Sequence, residues 1–144
     1  MTMENLEEYK KAGKIAAEAL VFGKSLIVKG GSVLDVCNKV EAKVFELGGE
    51  LAFPAQISMN EIAAHFCPED DDELKFTDQL VSLDVGVHVN GFIGDNAVTV
   101  DLSGENSDLV KASQEALKNA LGVVNVGVPL NEIGKVIEDT IKGF

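Results

Sequence analysis

Apolar residues recur along the chain in two rhythms, and the change of rhythm divides it into elements. From residue 6 to 28, Leu6, Tyr9, Ala12, Ala16, Leu20 and Ile27 fall on one stripe at helical spacing. That spacing predicts an amphipathic helix, with Gly30-Gly31 as its C-terminal stop. Ser32 then opens Ser-x-x-Asp, a weaker relative of the capping box. Val33, Val36, Cys37, Val40, Val44 and Leu47 continue at helical spacing and predict a second helix, stopped by Gly48-Gly49. Cys37 sits on that stripe and reads as a core thiol. Between Leu51 and Lys75 the rhythm lapses, and Pro54 and Pro68 punctuate an irregular segment. Its acidic run, Glu69 to Glu73, lacks the alternating ligands and the glycine of a calcium loop, so it reads as a solvated loop.

The rhythm switches to two in residues 80–100. Val81, Leu83, Val85, Val87 and Val89 alternate with Ser82, Asp84, Gly86 and His88. This predicts a strand with one buried face. Asn90-Gly91 is a strong signal for a tight hairpin turn, and a second strand is predicted from Phe92 to about Asp101. Helical spacing then returns. Leu109, Ala112, Ala116, Leu117, Ala120, Leu121 and Val124 share one face, Gly127 and Pro129 make a joint, and Leu130, Ile133, Val136, Ile137 and Ile141 form a last stripe. Gly143 is placed to cap it. The order helix, helix, strands, helix, helix predicts an α+β fold, an antiparallel sheet covered by helices on one face. The length of 144 residues suits one domain, and no composition break divides it.

Composition narrows the partners. The chain is 46% hydrophobic, enough for a core, and its 12 basic against 24 acidic residues give a net charge of −12. Such a surface repels nucleic acid and anionic membranes. No apolar run approaches the about 20 residues that span a bilayer, and Met1 to Glu8 contains no signal-peptide hydrophobic region. Two cysteines, Cys37 and Cys67, are too few for a disulfide scaffold. They are expected as free thiols, with the chain in the cytoplasm.

The hairpin carries the candidate chemistry. A two-residue turn at Asn90-Gly91 sets Asp95 opposite Gly86 and Asp84 opposite Ala97. Opposite residues project to the same side, so Asp84 and Asp95 become diagonal neighbours on the face away from the valines, with Cα atoms about 7–8 Å apart. Gly86 leaves the space between them open. Two converging carboxylates need a shared proton, a basic partner or a cation, and no Lys or Arg occurs between Lys75 and Lys111. A shared proton suits acid–base or glycosidase chemistry. A divalent cation suits two hard oxygen ligands. Simple exposure to solvent is the third alternative. His65 falls in the irregular segment as a candidate site residue, while His88 lies near the hairpin tip. The His65-x-Cys67 pair alone is a weak metal signal. No phosphate loop or nucleophile elbow occurs.

Two segments extend this picture by resemblance. Phe53-Pro54-Ala55-Gln56-Ile57-Ser58-Met59-Asn60-Glu61-Ile62-Ala63-Ala64-His65 resembles the substrate-pocket segment of the archaeal, type II methionine aminopeptidases. Leu83 to Val100 resembles their first metal-ligand hairpin, and the flanking helices are similar too. The resemblance implies half of a pita-bread fold, with residues 1–144 as the N-terminal half of the catalytic domain. It also implies removal of the initiator methionine from nascent chains by metal-activated hydroxide. The family's two divalent ions, of a kind compatible with Co, Mn, Fe or Zn, are held by two aspartates, a histidine and two glutamates. By position, Asp84 would be a bidentate ligand of one metal and Asp95 would bridge both. His65 would contact the substrate near the scissile bond, and Phe53 would line the methionine pocket. The other ligands belong to the second half of the family's sequence, so a complementary C-terminal half or second chain would be needed. The 144 residues alone are expected to be inactive. The alternatives are a non-catalytic pita-bread protein that binds a partner and a self-associating half-domain. Asn96, where Thr is common in the family, is expected to point away from the metals.

Overall fold

The computed structural model describes residues 5–144; the beginning of the acidic N-terminal stretch, residues 1–4, lies outside them. In chain order the elements are α1 (Leu6–Leu26), α2 (Val33–Glu46), β1 (Glu50–Leu51), β2 (Gln56–Met59), β3 (Leu80–Val89), β4 (Phe92–Asp101), α3 (Ser107–Val123) and α4 (Leu130–Lys142). They form two compact units, residues 1–103 and 104–144.

The first unit is an antiparallel sheet with α1 and α2 on one face. β3 is its central strand, paired with β4 along its whole length on one side. On its other side it pairs with β2 near its start and with β1 near its end. The odd residues of β3, Val81, Leu83, Val85 and Val87, are fully enclosed. They share one core with Ile15, Ala16 and Ala19 of α1 and Val33, Val36, Val40 and Val44 of α2. Each valine, leucine or isoleucine side chain so removed from water contributes about 1.5–3 kcal/mol.

The helices keep most of their predicted outlines. Ser32 caps α2, its Oγ accepting from the Asp35 N–H at 3.2 Å. In α1 the buried residues are Ala12, Ile15, Ala16, Ala19 and Gly23. The predicted stripe named two of these, Ala12 and Ala16, and passed over Ile15, Ala19 and Gly23. Tyr9 instead meets Phe92 edge-on at 5.1 Å between ring centroids. The chain leaves the helix at Ile27, before the predicted glycine stop. Gly30 adopts φ +85 in the following turn.

The segment read as irregular contains β2, a strand that the spacing did not reveal. Ile57, Ser58 and Met59 are all buried, so no alternation marks it. A second anchor is Phe76, enclosed and held by backbone bonds at both ends: Gly30 N–H donates to Phe76 O at 2.8 Å, and Phe76 N–H to Gly31 O at 2.9 Å.

In the second unit α3 and α4 pack together, and Asn119 Nδ2 donates to Thr140 Oγ1 at 3.1 Å. Ala112, Ala116 and Ala120 of α3 are buried. Leu109, Leu117, Leu121 and Val124, predicted on the same face, are exposed, and α4 buries no residue. Gly143 does follow α4 as its cap. Among the described residues no helix is long and apolar enough to cross a membrane.

One glycine fixes how closely α1 lies on the sheet. A Cβ at Gly94 would stand 2.6 Å from Gly13 Cα and 2.7 Å from Ala12 C, both backbone atoms that cannot rotate away. Gly94→Ala is therefore expected to cost about 2–3 kcal/mol, lowering the urea midpoint at unchanged slope. Gly134→Ala, in α4 with open space around its Cβ position, is expected to stabilise by about 1 kcal/mol. Equal effects of the two substitutions would contradict the packing described.

Candidate metal centre

The turn at Asn90-Gly91 sets the site. Both residues have positive φ, +53 and +85. That conformation matches the twist of a tight hairpin and suits Asn followed by Gly. The resulting register pairs Gly86 with Asp95 and Asp84 with Ala97, as the sequence predicted. Asp84 and Asp95 therefore share the face opposite the helices. Asn96 pairs with Val85, on the helix side, and so points away from the aspartates.

The site face also holds groups that sequence reasoning missed or only partly used. Gln56 is the direct partner of Asp84 across the β2–β3 ladder, so the two side chains project together. Asp84 Oδ1 and Gln56 Oε1 are both enclosed and have no hydrogen-bond partner among the described residues. Leaving such an atom unpaired costs about 1–3 kcal/mol, more for a charged group. Gln56 went unnoticed because its strand was read as loop; its signal is the resemblance segment, which runs through it.

Phe53 covers the glycine gap. A Cβ at Gly86 would stand 2.5 Å from Phe53 Cζ and 2.6 Å from Cδ1, so the ring occupies the space a side chain would take. The backbone on either side holds it there. Ala52 N–H donates to Gly86 O at 2.9 Å, and Ala55 N–H donates to Glu41 Oε1 at 2.9 Å. The result is an aromatic wall beside two carboxylates.

Electrostatics mark Asp84 as strained. Burial, and next the neighbouring Asp95, push its carboxyl above the ordinary 3.8. His65 and the Val85 backbone amide pull in the other direction. His65 thus lies within electrostatic reach of the pair. It is exposed and holds φ +65, a left-handed conformation that a non-glycine residue adopts only when its surroundings impose it.

The remaining candidates have other partners or none. His88 sits 3.8 Å from Glu50 through Nε2, while its Nδ1 accepts from Gly91 N–H at 3.3 Å. Cys37 is buried and Cys67 exposed, both free. In the acidic run, Asp72 Oδ1 accepts from Leu74 N–H at 2.7 Å, a local turn bond.

The shift on Asp84 gives a pH dependence. The fold favours the neutral carboxyl, so this group's stabilising contribution is present below about 3.8 and is lost as the pH rises through its raised value. In metal-free buffer near neutrality Asp84→Asn is expected to raise the unfolding midpoint above that of the parent. The gain should vanish in strong acid. An unchanged or lower midpoint at neutral pH would contradict the repulsion.

The chain can now be set beside known proteins. Residues 7–144 match metallopeptidase family M24. A methionine aminopeptidase of Archaeoglobus fulgidus is 48% identical over 145 residues, covering 100% of this chain and 50% of that protein. One of Methanocaldococcus jannaschii is 45% identical, covering 100% of this chain and 49% of that protein. The chain thus spans about half the length of these relatives. The crystal structure of a methionine aminopeptidase from Thermotoga maritima superposes with a TM-score of 0.89 at 29% identity, covering 99% of this chain and 61% of that one. The α+β architecture is accordingly that of half a pita-bread fold. With sequence and fold matching over nearly its whole length, the chain belongs to metallopeptidase family M24.

Proposed function

We propose that residues 1–144 form the N-terminal half of a methionine aminopeptidase catalytic domain, which removes the initiator methionine from nascent proteins in the cytoplasm. The observation that carries this reading is the buried, unpartnered Asp84 Oδ1 beside Asp95, on a face to which the hairpin contributes no Lys or Arg to neutralise them. Hard carboxylate oxygens of this kind fit a divalent cation, and Gln56 Oε1 adds a neutral oxygen alongside.

In this reading Asp84 and Asp95 would hold the metal. Divalent ions bound there would supply Lewis-acid polarisation of the scissile carbonyl and a more acidic water. Phe53, seated over Gly86, offers an apolar wall for the methionine side chain. His65, the proposed catalytic residue, hydrogen-bonds the substrate near the scissile bond. Its left-handed backbone sets the direction of the imidazole. The substrate is a polypeptide N-terminus. The net charge of −12 gives no attraction to nucleic acid.

The donor set is half of one. Among the described residues no group of three or more His, Cys, Asp or Glu side chains could hold a metal ion. The family's further histidine and glutamates would come from a complementary C-terminal half. These 144 residues are therefore expected to bind Mn(II) or Co(II) weakly, no tighter than about 0.1 mM, and to release no methionine from a Met-Ala-Ser peptide. Asp84→Asn and Asp95→Asn are each expected to abolish the rise in unfolding midpoint that millimolar Mn(II) gives the parent. An equal rise in parent and variants would contradict the site. Methionine release by the chain, with longer enzyme excluded by mass, would contradict the half-site.

A second reading, self-association, draws on the exposed apolar side chains of the second unit, with Leu117 at 61% and Leu121 at 65% exposure. Sedimentation as a monomer at about 100 μM would exclude it, since interfaces that associate stably do so well below that concentration.

A further inference from the structure

Two thiols meet in a cleft that the aminopeptidase reading leaves unused. Cys37 of α2 and Cys67 of the loop that carries His65 both line a cleft of about 270 Å³, with Glu41 and Ala55 in its wall. Cys37 is 4% exposed, Cys67 is open to solvent, and both are free.

The backbone brings their two segments to one place. Glu41, one helical turn after Cys37, accepts from Ala55 N–H at 2.9 Å. Phe66, adjacent to Cys67, accepts from Ile57 N–H at 3.0 Å. Both cysteine-bearing segments are therefore pinned to the same short stretch, at points two residues apart. Along an extended chain those two points are about 7 Å apart, so both cysteine-bearing segments reach the same wall of the cleft.

We propose that Cys37 and Cys67 are a redox pair that closes into a disulfide on reaction with a small-molecule disulfide and so ties the His65 loop to α2. Cys67, the exposed thiol, loses its proton and attacks one sulfur of the oxidant. The oxidant's S–S bond breaks and its first thiol leaves. The Cys37 thiolate then attacks Cys67 Sγ, forming the Cys37–Cys67 bond and expelling the second thiol. Two protein thiols give up two electrons and two protons, and the oxidant becomes two thiols. Burial first, then Glu41 and Cys67, push the Cys37 thiol up to about 12, which makes closure the slow step. The inference stands independently of the aminopeptidase reading, because it concerns the fold alone.

The test is oxidised glutathione added to the full chain in native buffer, followed by intact mass and peptide mapping. The parent is expected to lose about 2 Da and to yield a peptide linking Cys37 with Cys67, reversed by a dithiol reductant. Amide exchange over residues 61–67 should slow on closure. Cys37→Ser should stop at a glutathione adduct on Cys67. A lasting glutathione adduct on Cys67 of the parent, a disulfide-linked dimer alone, or no reaction would each overturn the proposal.

Discussion

Parity along the β3–β4 ladder ties the core to the candidate site. The odd residues Val81, Leu83, Val85 and Val87 of β3 are buried on the helix side, so the even residues face the other way. A slip of one residue would drive Asp84 into the core and expose the valines. The register that buries Val81, Leu83, Val85 and Val87 is therefore the register that sets Asp84 diagonal to Asp95. The turn at Asn90-Gly91 and the close fit of Gly94 on Gly13 both enforce it. The folding free energy of the hydrophobic face holds two carboxylates where they repel.

That repulsion accounts for the other features of the open face. Asp84 is partly enclosed, next to a like charge, with one oxygen unpartnered. Gln56 adds a second unpartnered oxygen, and Gly86 gives way to the Phe53 ring. Local stability is sacrificed on one side of the sheet while packing is optimised on the other, a pattern expected where a ligand completes the structure. The proposed division of ligands between two halves of a fold follows from the same arrangement. In that proposal one hairpin presents two carboxylates, and further donors would come from elsewhere.

The hairpin was legible in the sequence because its alternation is strict and its turn residues are specific to positive φ. The second helix was equally legible, through its stripe and the Ser32 cap. β2 was not, since three successive residues are buried and the period of two disappears; Gln56 was lost with it. The buried face of α1 was visible at two of its five residues: the stripe passed over Ile15, and Ala19 and Gly23 carry little hydrophobic signal although they allow close packing. A Cβ at Gly23 would stand 2.5 Å from both Leu83 and Val40 side chains. The stripe of α4 shows the converse. Leu130, Ile137 and Ile141 repeat cleanly yet remain exposed, because periodicity reports a capacity for burial, whereas burial itself needs a partner surface. The roles of Phe53 and His65 came from resemblance; spacing alone singled out only the two aspartates.

The central claim is that Asp84 and Asp95 act as one electrostatic unit. A double-mutant cycle of Asp84→Asn and Asp95→Asn, measured by urea unfolding in metal-free buffer at neutral pH, tests it most directly. Removing either charge relieves the same repulsion, so the double variant should gain less than the sum of the two single gains, by about 0.5 kcal/mol or more. Additive effects would mean two independent surface carboxylates and would contradict a common site.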